Sequence, residues 1–267
     1  MPKFPGSGGS SFFGSGQPTC TDTNDYHAQL VYARPKDAAD RYSEIGPKLK
    51  TWFAQADAII SSEAKKFNVT LNLKVLCKTG EIEVANVVLP NTSSFYASAF
   101  DTNQTVDADL AKLGYSDKKT KYVVWFDAEG NPAGCGGSTC ISQASRKAPD
   151  DRLTEDNIYN SGPDYAFLFK IEDSKVSQFG TSADMFVPIA IMHEYAHTMG
   201  AVQSSAPHVT KKETGNNVHC TDTQPIGRGG TDIMCKSDSQ SEVFGNACPG
   251  TYPFVFDCNN DDYFNPK

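Results

Sequence analysis

Long apolar runs are missing from this sequence. None approaches the roughly 18 to 20 residues that a helix needs to cross a bilayer, so no transmembrane helix is expected. Clusters of Lys and Arg are missing too. With 24 basic against 32 acidic residues, a formal net charge of -8 and a pI near 5.1, the chain is a poor partner for nucleic acid or an anionic membrane surface. No G-x-S-x-G elbow accompanies the many serines, which leaves a serine hydrolase unsupported. The glycine clusters at 134–137 and 227–230 do not follow a strand and open a helix, so no nucleotide loop is indicated. Close C-x-x-C pairs, the mark of a structural zinc ribbon, are absent as well.

What is present reads as an ordinary globular chain. Its 267 residues, 39% hydrophobic and 21% charged, suffice for a substantial core. Cysteine is even in number: Cys20, Cys77, Cys135, Cys140, Cys220, Cys235, Cys248 and Cys258. Disulfides are the natural use for them, which points to an oxidising compartment and a secreted, monomeric protein. Proximity along the chain suggests pairing Cys135 with Cys140, Cys220 with Cys235 and Cys248 with Cys258, leaving Cys20 for Cys77. On the order of 100 connectivities are formally open, so proximity is the sole guide. Sequons at Asn68, Asn91 and Asn103 suit a secreted glycoprotein.

Residues 1–19 form a Gly/Ser-rich stretch without an apolar signal core and are expected to be a flexible leader, with one two-lobed domain over 20–267. Strands are expected at Ala28–Arg34, Thr70–Lys78, Ile82–Pro90 and Lys121–Ala128, with a tight turn at "KTGE" between the second and third. Apolar residues at three- and four-residue steps from Leu49 to Phe67 predict a long helix with Pro47 in its first turn. A short helix is expected over 106–114, and a long surface loop over 134–163. "DYAFLFKIE" supplies a last strand before a markedly apolar helix. Beyond Gly200 periodicity fades while half the cysteines remain, which suggests an irregular lower lobe, 201–267, stapled by disulfides beneath an upper lobe, 20–200.

The chemistry sits in that apolar helix. His193-Glu194-Tyr195-Ala196-His197 is an H-E-x-x-H motif. Residues four apart share a helix face, so both imidazoles can hold one zinc ion while Glu194 reaches its open side. Such an arrangement serves hydrolysis, because zinc lowers the pKa of a water toward about 7 and the carboxylate can take its proton and deliver it to a leaving amine. Gly200 follows three residues later, where a glycine lets the chain leave the helix sharply and return toward the metal.

H-E-x-x-H-x-x-G followed by Ile233-Met234 resembles the metzincin clan of zinc endopeptidases. The strings "HEYAHTMGAVQSSAPH", "HC", "DIMC" and "DCNNDDYFN" are similar to small secreted metzincin-like proteases of bacteria and fungi, and the specific matches lie within residues 185–265. The resemblance implies an α+β, metzincin-like fold: a twisted mixed sheet with helices above the cleft, an active-site helix, and an irregular disulfide-rich lobe below. It implies a zinc endopeptidase acting on protein or peptide substrates, with Met234 packed beneath the imidazoles. It also implies a third ligand three residues past the glycine, where this chain has Gln203, a weak neutral donor. His208, behind the stiffening Pro207, is the favoured replacement; His219 beside Cys220, and Gln203 itself, stay open. In astacins and serralysins a tyrosine two residues past the methionine approaches the metal, whereas this chain has Lys236. These two departures sustain a second reading, an inactive secreted binding or adhesion module. The acidic "FDCNNDDYFN" tail has enough hard oxygen donors to admit Ca2+, though a solvated acidic turn is the simpler expectation.

Overall fold

In a computed structural model of the chain, the described residues are 16–99, 101–129, 141–145, 163–177, 181–203, 205–209, 219–222, 231–237, 254–260 and 262–264. Strands β1 (Thr19–Thr21) and β2 (His27–Pro35) precede helix α1 (Tyr42–Lys65). Next come β3 (Lys74–Lys78), β4 (Glu81–Ile82), β5 (Val84–Leu89), α2 (Ser93–Ser98), α3 (Thr102–Lys112) and β6 (Thr120–Phe126). Then follow β7 (Ser142–Ala144), β8 (Asp164–Phe169), α4 (Asp173–Val176) and α5 (Ala183–Thr198). Four short strands, β9 (Cys220–Asp222), β10 (Thr231–Asp232), β11 (Cys235–Ser237) and β12 (Phe254–Val255), lie beyond.

One eight-stranded mixed sheet runs in the order β1-β3-β2-β6-β8-β7, with β5 on β2 and β4 on β3. β2, β6 and β8 are parallel to one another, and β7 is antiparallel to β8. Alternate residues of the central strands enter two cores. Leu30, Val123, Trp125, Ala166 and Leu168 face α1 and α5. Val31, Val124, Tyr122, Phe167 and Phe169 face α2 and α3. Strands covered on both faces read as near-continuous apolar runs, which is why "KYVVWF" shows no alternation. The first core also takes in Val202, Cys220, Ile233, Met234 and Phe256, so the irregular segments beyond α5 pack on the same apolar mass as its helices.

Several local expectations shift. The long helix begins a turn early, at Tyr42, and Pro47 sits inside it. Asp40 supplies the start by accepting the Tyr42 N–H at 2.9 Å, which sequence spacing did not single out. At the other end Asn68 takes a left-handed φ of 58° while Val69 N–H reaches Ala64 O and Asn68 N–H reaches Lys65 O, a Schellman stop. The "KTGE" turn forms, with Thr79 and Gly80 at φ 53° and 84°, but β4 pairs with β3 for two residues only before β5 departs to run parallel to β2. The short helix starts at Thr102 on the Asp101 cap, and α2 on the Thr92 cap was not anticipated. β7 lies inside the stretch expected to be loop. Thr19, placed in the leader by composition, pairs with Lys74 in β1, and Gly16 lies so close to α1 that an added Cβ would be 2.1 Å from Ala54 O.

Two of the disulfides paired by proximity are present among the described residues, Cys20–Cys77 and Cys220–Cys235. Cys135, Cys140 and Cys248 lie outside them.

Burial raises the Asp107 carboxyl on α3 from 3.8 to about 6, with Asp101 adding to the effect. A raised native pKa favours the protonated form on folding, so this contribution is complete at low pH and is lost as pH rises toward and through about 6. Asp107→Asn removes the penalty of the ionised form. The thermal midpoint of the variant relative to wild type is expected to rise between pH 4 and pH 8, by the equivalent of about 1 kcal/mol after allowing for partial solvent screening. Melting curves across that range check it; a pH-independent difference would contradict the assignment.

Candidate metal centre

α5 is apolar on nearly every side, and Phe186 through Thr198 are all buried. Its start is held by Asp173, which accepts the Ala183 N–H at 2.7 Å, and by Asp184, which accepts Trp52 Nε1–H at 3.0 Å. Its end is set by Gly200 at φ 95°: Ala201 N–H bonds Ala196 O and Gly200 N–H bonds His197 O, the Schellman pattern that glycine permits cheaply. That turn has a chemical consequence. It aims Ala201 O back at the helix, where it accepts Nδ1–H of His197 at 2.8 Å.

His193 is oriented in the same manner from a different direction. Its Nδ1 lies 2.5 Å from Ile233 O, in the turn between β10 and β11. A carbonyl can only accept, so in both neutral imidazoles Nδ1 carries the hydrogen and Nε2 presents its lone pair. Those Nε2 atoms lie 3.1 Å apart. The third imidazole beside them is His219, whose Nε2 is 3.2 Å from that of His197 and 3.3 Å from that of His193.

His219 arrives on β9's leading edge. Cys220 is bridged to Cys235, its N–H bonds Met234 O at 3.1 Å, and β9 pairs in parallel with β11. Met234 is fully buried in the same core as α5, and its N–H is accepted by Asp232 at 2.8 Å. Glu194 is 4% exposed and places Oε1 4.0 Å from His193 Nε2, alongside the cluster.

The donor set suits a metal. Tetrahedral zinc with Zn–N bonds of about 2.0–2.1 Å separates its ligand nitrogens by roughly 3.3–3.4 Å, close to the three observed distances. Neutral imidazoles fixed by backbone carbonyls are also the arrangement by which proteins orient metal-binding histidines. A second group, Cys220, Asp232 and Cys235, brings potential donors together, but its sulfurs are joined in the disulfide.

The structure places the expected third ligand, His208, away from this group. His208 is not with the pair: its N–H and Nδ1 lie 2.9 and 3.1 Å from the two carboxylate oxygens of Asp262. Gln203 is not there either, since its Nε2–H donates to Asp262 O at 2.7 Å. Both are captured by the C-terminal segment before they can reach the cluster. His219 was an open alternative, and the signal favouring it was its place next to Cys220, opposite Cys235 and Met234.

The acidic tail is also corrected. It is no solvated turn: Asp257 is fully buried and Asp262 nearly so. Asp257 accepts the N–H groups of Tyr263 and Phe264, at 2.7 and 2.5 Å, while the Tyr263 hydroxyl donates to Asp232 at 2.7 Å. Burial raises Asp232 to about 6 and Asp257 to about 7 despite these donors. Their oxygens are engaged by the chain itself, and among the described residues they form no carboxylate cluster of the kind calcium requires.

No family model and no curated protein matches this chain. Among solved structures, two crystal forms of wild-type OgpA from Akkermansia muciniphila are similar, at 12% identity and a TM-score of 0.41, and at 11% and 0.43. They cover 68% and 72% of this chain, and 49% and 52% of OgpA. Catalytically inactive OgpA in complex with an O-glycopeptide (glycodrosocin) substrate is similar at 9% identity and a TM-score of 0.39, covering 71% of this chain and 52% of that one. The chain thus spans about half the length of these structures. So loose an overlap leaves the chemistry to be argued from the side chains.

Three substitutions test the centre. His219→Ala is expected to abolish stoichiometric zinc, whereas His208→Ala still fills at saturating metal; equilibrium dialysis with elemental analysis reads both. Gly200→Ala forces a Cβ into a left-handed position, so a loss of about 1–2 kcal/mol is expected, with weaker zinc binding alongside because Ala201 O is displaced from His197.

Proposed function

We propose that this chain is a zinc endopeptidase of metzincin type, and the observation that carries the reading is the convergence of His193, His197 and His219 beside Glu194. Three protein nitrogens leave a fourth position for water or substrate, as catalytic rather than structural zinc sites do. Bound there, zinc would supply Lewis acidity to the scissile carbonyl and to the attacking water.

The remaining roles belong to the chain. Glu194 takes the proton of the attacking water and returns it to the amine that leaves, acting as base and then acid. Its burial keeps bulk water from competing for that proton. Ile233 O and Ala201 O keep the imidazoles in the tautomer that presents Nε2. An extended peptide would lie along β7, which ends one side of the sheet among the described residues, adding a strand through main-chain hydrogen bonds. The disulfides suit work outside the cell.

Glu194→Gln is expected to retain zinc and lose roughly 10²–10⁴-fold in the rate of cleaving an unfolded protein such as casein, and a chelator should abolish wild-type cleavage. Zinc bound with no turnover in the wild type would favour the binding-module reading instead.

A further inference from the structure

We infer that Asp262 is a positioning residue for the third histidine: it clasps the loop that leaves α5 and so sets where His219 presents Nε2. The inference rests on the reading of His193, His197 and His219 as one metal centre, and it adds a function for the acidic tail and for His208 and Gln203.

The clasp has three contacts to one residue. The Asp262 carboxylate accepts the backbone N–H of His208 at 2.9 Å and lies 3.1 Å from its Nδ1, and the Asp262 carbonyl accepts Gln203 Nε2–H at 2.7 Å. Its side chain is 5% exposed, so these bonds are shielded from solvent competition, while that of His208 is 41% exposed. Asp262 is itself anchored, because its N–H donates to the buried Asp257 at 3.3 Å. Asp257 in turn holds Tyr263, whose hydroxyl bonds Asp232 beneath the methionine turn.

A backbone bridge links the clasp to the neighbour of the proposed ligand. Val209, next to His208, forms an antiparallel bridge with Cys220, next to His219. The Cys220–Cys235 disulfide holds His219 from the β11 side, and Asp262, through Val209, holds it from the opposite one. At its other end the same loop begins with Ala201, whose carbonyl orients His197. Fixing Gln203 and His208 to one residue therefore fixes the loop that touches the His197 imidazole and bridges to Cys220, the residue after His219. Groups hydrogen-bonded directly to metal ligands commonly alter affinity 10–100-fold, and a residue that acts one contact further out is expected to fall toward the lower end of that range.

The test is zinc affinity by chelator competition on the full chain, with the visible absorption of the Co2+-substituted protein as a reading of coordination geometry. Asp262→Ala is expected to weaken zinc binding about 10-fold and to change the Co2+ bands. Asp262→Asn should recover much of the loss, since its amide can accept from His208 N–H and donate to Nδ1 in the other tautomer. His208→Ala should weaken binding in the same direction, and it stands in for Asp262→Ala if that variant does not fold, because the His208 side chain is largely at the surface. Asp109→Asn, on the far side of the sheet, serves as the control for general destabilisation.

Wild-type affinity and bands in folded Asp262→Ala would overturn the proposal, as would an equal loss in Asp109→Asn or, where Asp262→Ala does not fold, wild-type affinity in His208→Ala. A wild type that binds no zinc would sink the metal-centre reading as well. If zinc binding depends on Asp262 but Glu194→Gln leaves cleavage unchanged, the clasp stands and the catalytic reading falls.

Discussion

Lone pairs brought together at one point repel, and holding them there is the constraint on which the rest of this structure turns. His193 and His197 present Nε2 because a backbone carbonyl binds the opposite nitrogen of each. A side-chain acceptor could swing away, whereas a carbonyl moves only with its whole segment. The two carbonyls come from Ala201, just past α5, and Ile233, 40 residues beyond His193 in the sequence. The tautomers therefore depend on the chain turning sharply at Gly200 and on the β10–β11 turn packing under α5. Met234 fits that demand: fully buried, it belongs to the same core as α5.

Little regular structure is available to hold that turn. β10 and β12 pair over two residues and β9 and β11 over three, far short of what stabilises an isolated ribbon in water. Buried carboxylates take the place of a sheet. Asp232 accepts the N–H groups of Met234 and Cys258 and the Tyr263 hydroxyl, and Asp257 accepts three backbone N–H groups from the segment 262–264. Each satisfies donors that a ladder would otherwise have satisfied. The cost is visible in the raised pKa values of both, about 6 and about 7, which express desolvation that these bonds only partly offset.

What could be read from the sequence follows the range of the interactions. The pair His193 and His197, with Glu194 beside them, is legible because spacing on a helix is local geometry, and Gly200 because a left-handed stop is local too. The third histidine is a matter of tertiary contact. His208 looked better placed because a loop of suitable length follows Gly200, but length does not reveal that Asp262, distant in sequence, binds it first. The disulfide next to His219 pointed to the histidine that stands with the pair, since a covalent bridge is one of the few long-range contacts a sequence can suggest. The sheet behaves likewise. Where the central strands lie was evident from β-branched and aromatic runs, whereas β1, β7 and the short strands beyond α5 were not, and β5 leaving β4 to join β2 is a pairing between segments far apart in sequence.

Gln203 stands where the metzincin resemblance calls for a ligand, and its amide donates to Asp262 O instead. A ligand three residues past the glycine would have the loop supply the metal directly, and the residues beyond would then be free to vary. Here the loop instead supplies two tethers, Gln203 and His208, and passes the ligand to β9. His219 is then held by a disulfide on one side and by the bridge to Val209 on the other. On the proposed reading, moving the ligand outward makes the centre depend on the C-terminal segment, because Asp262 tethers the loop at Gln203 and His208. In "FDCNNDDYFN", Asp257 and Asp262 accept backbone N–H groups in the interior, and on the proposed reading they hold the segment on which a displaced third histidine relies.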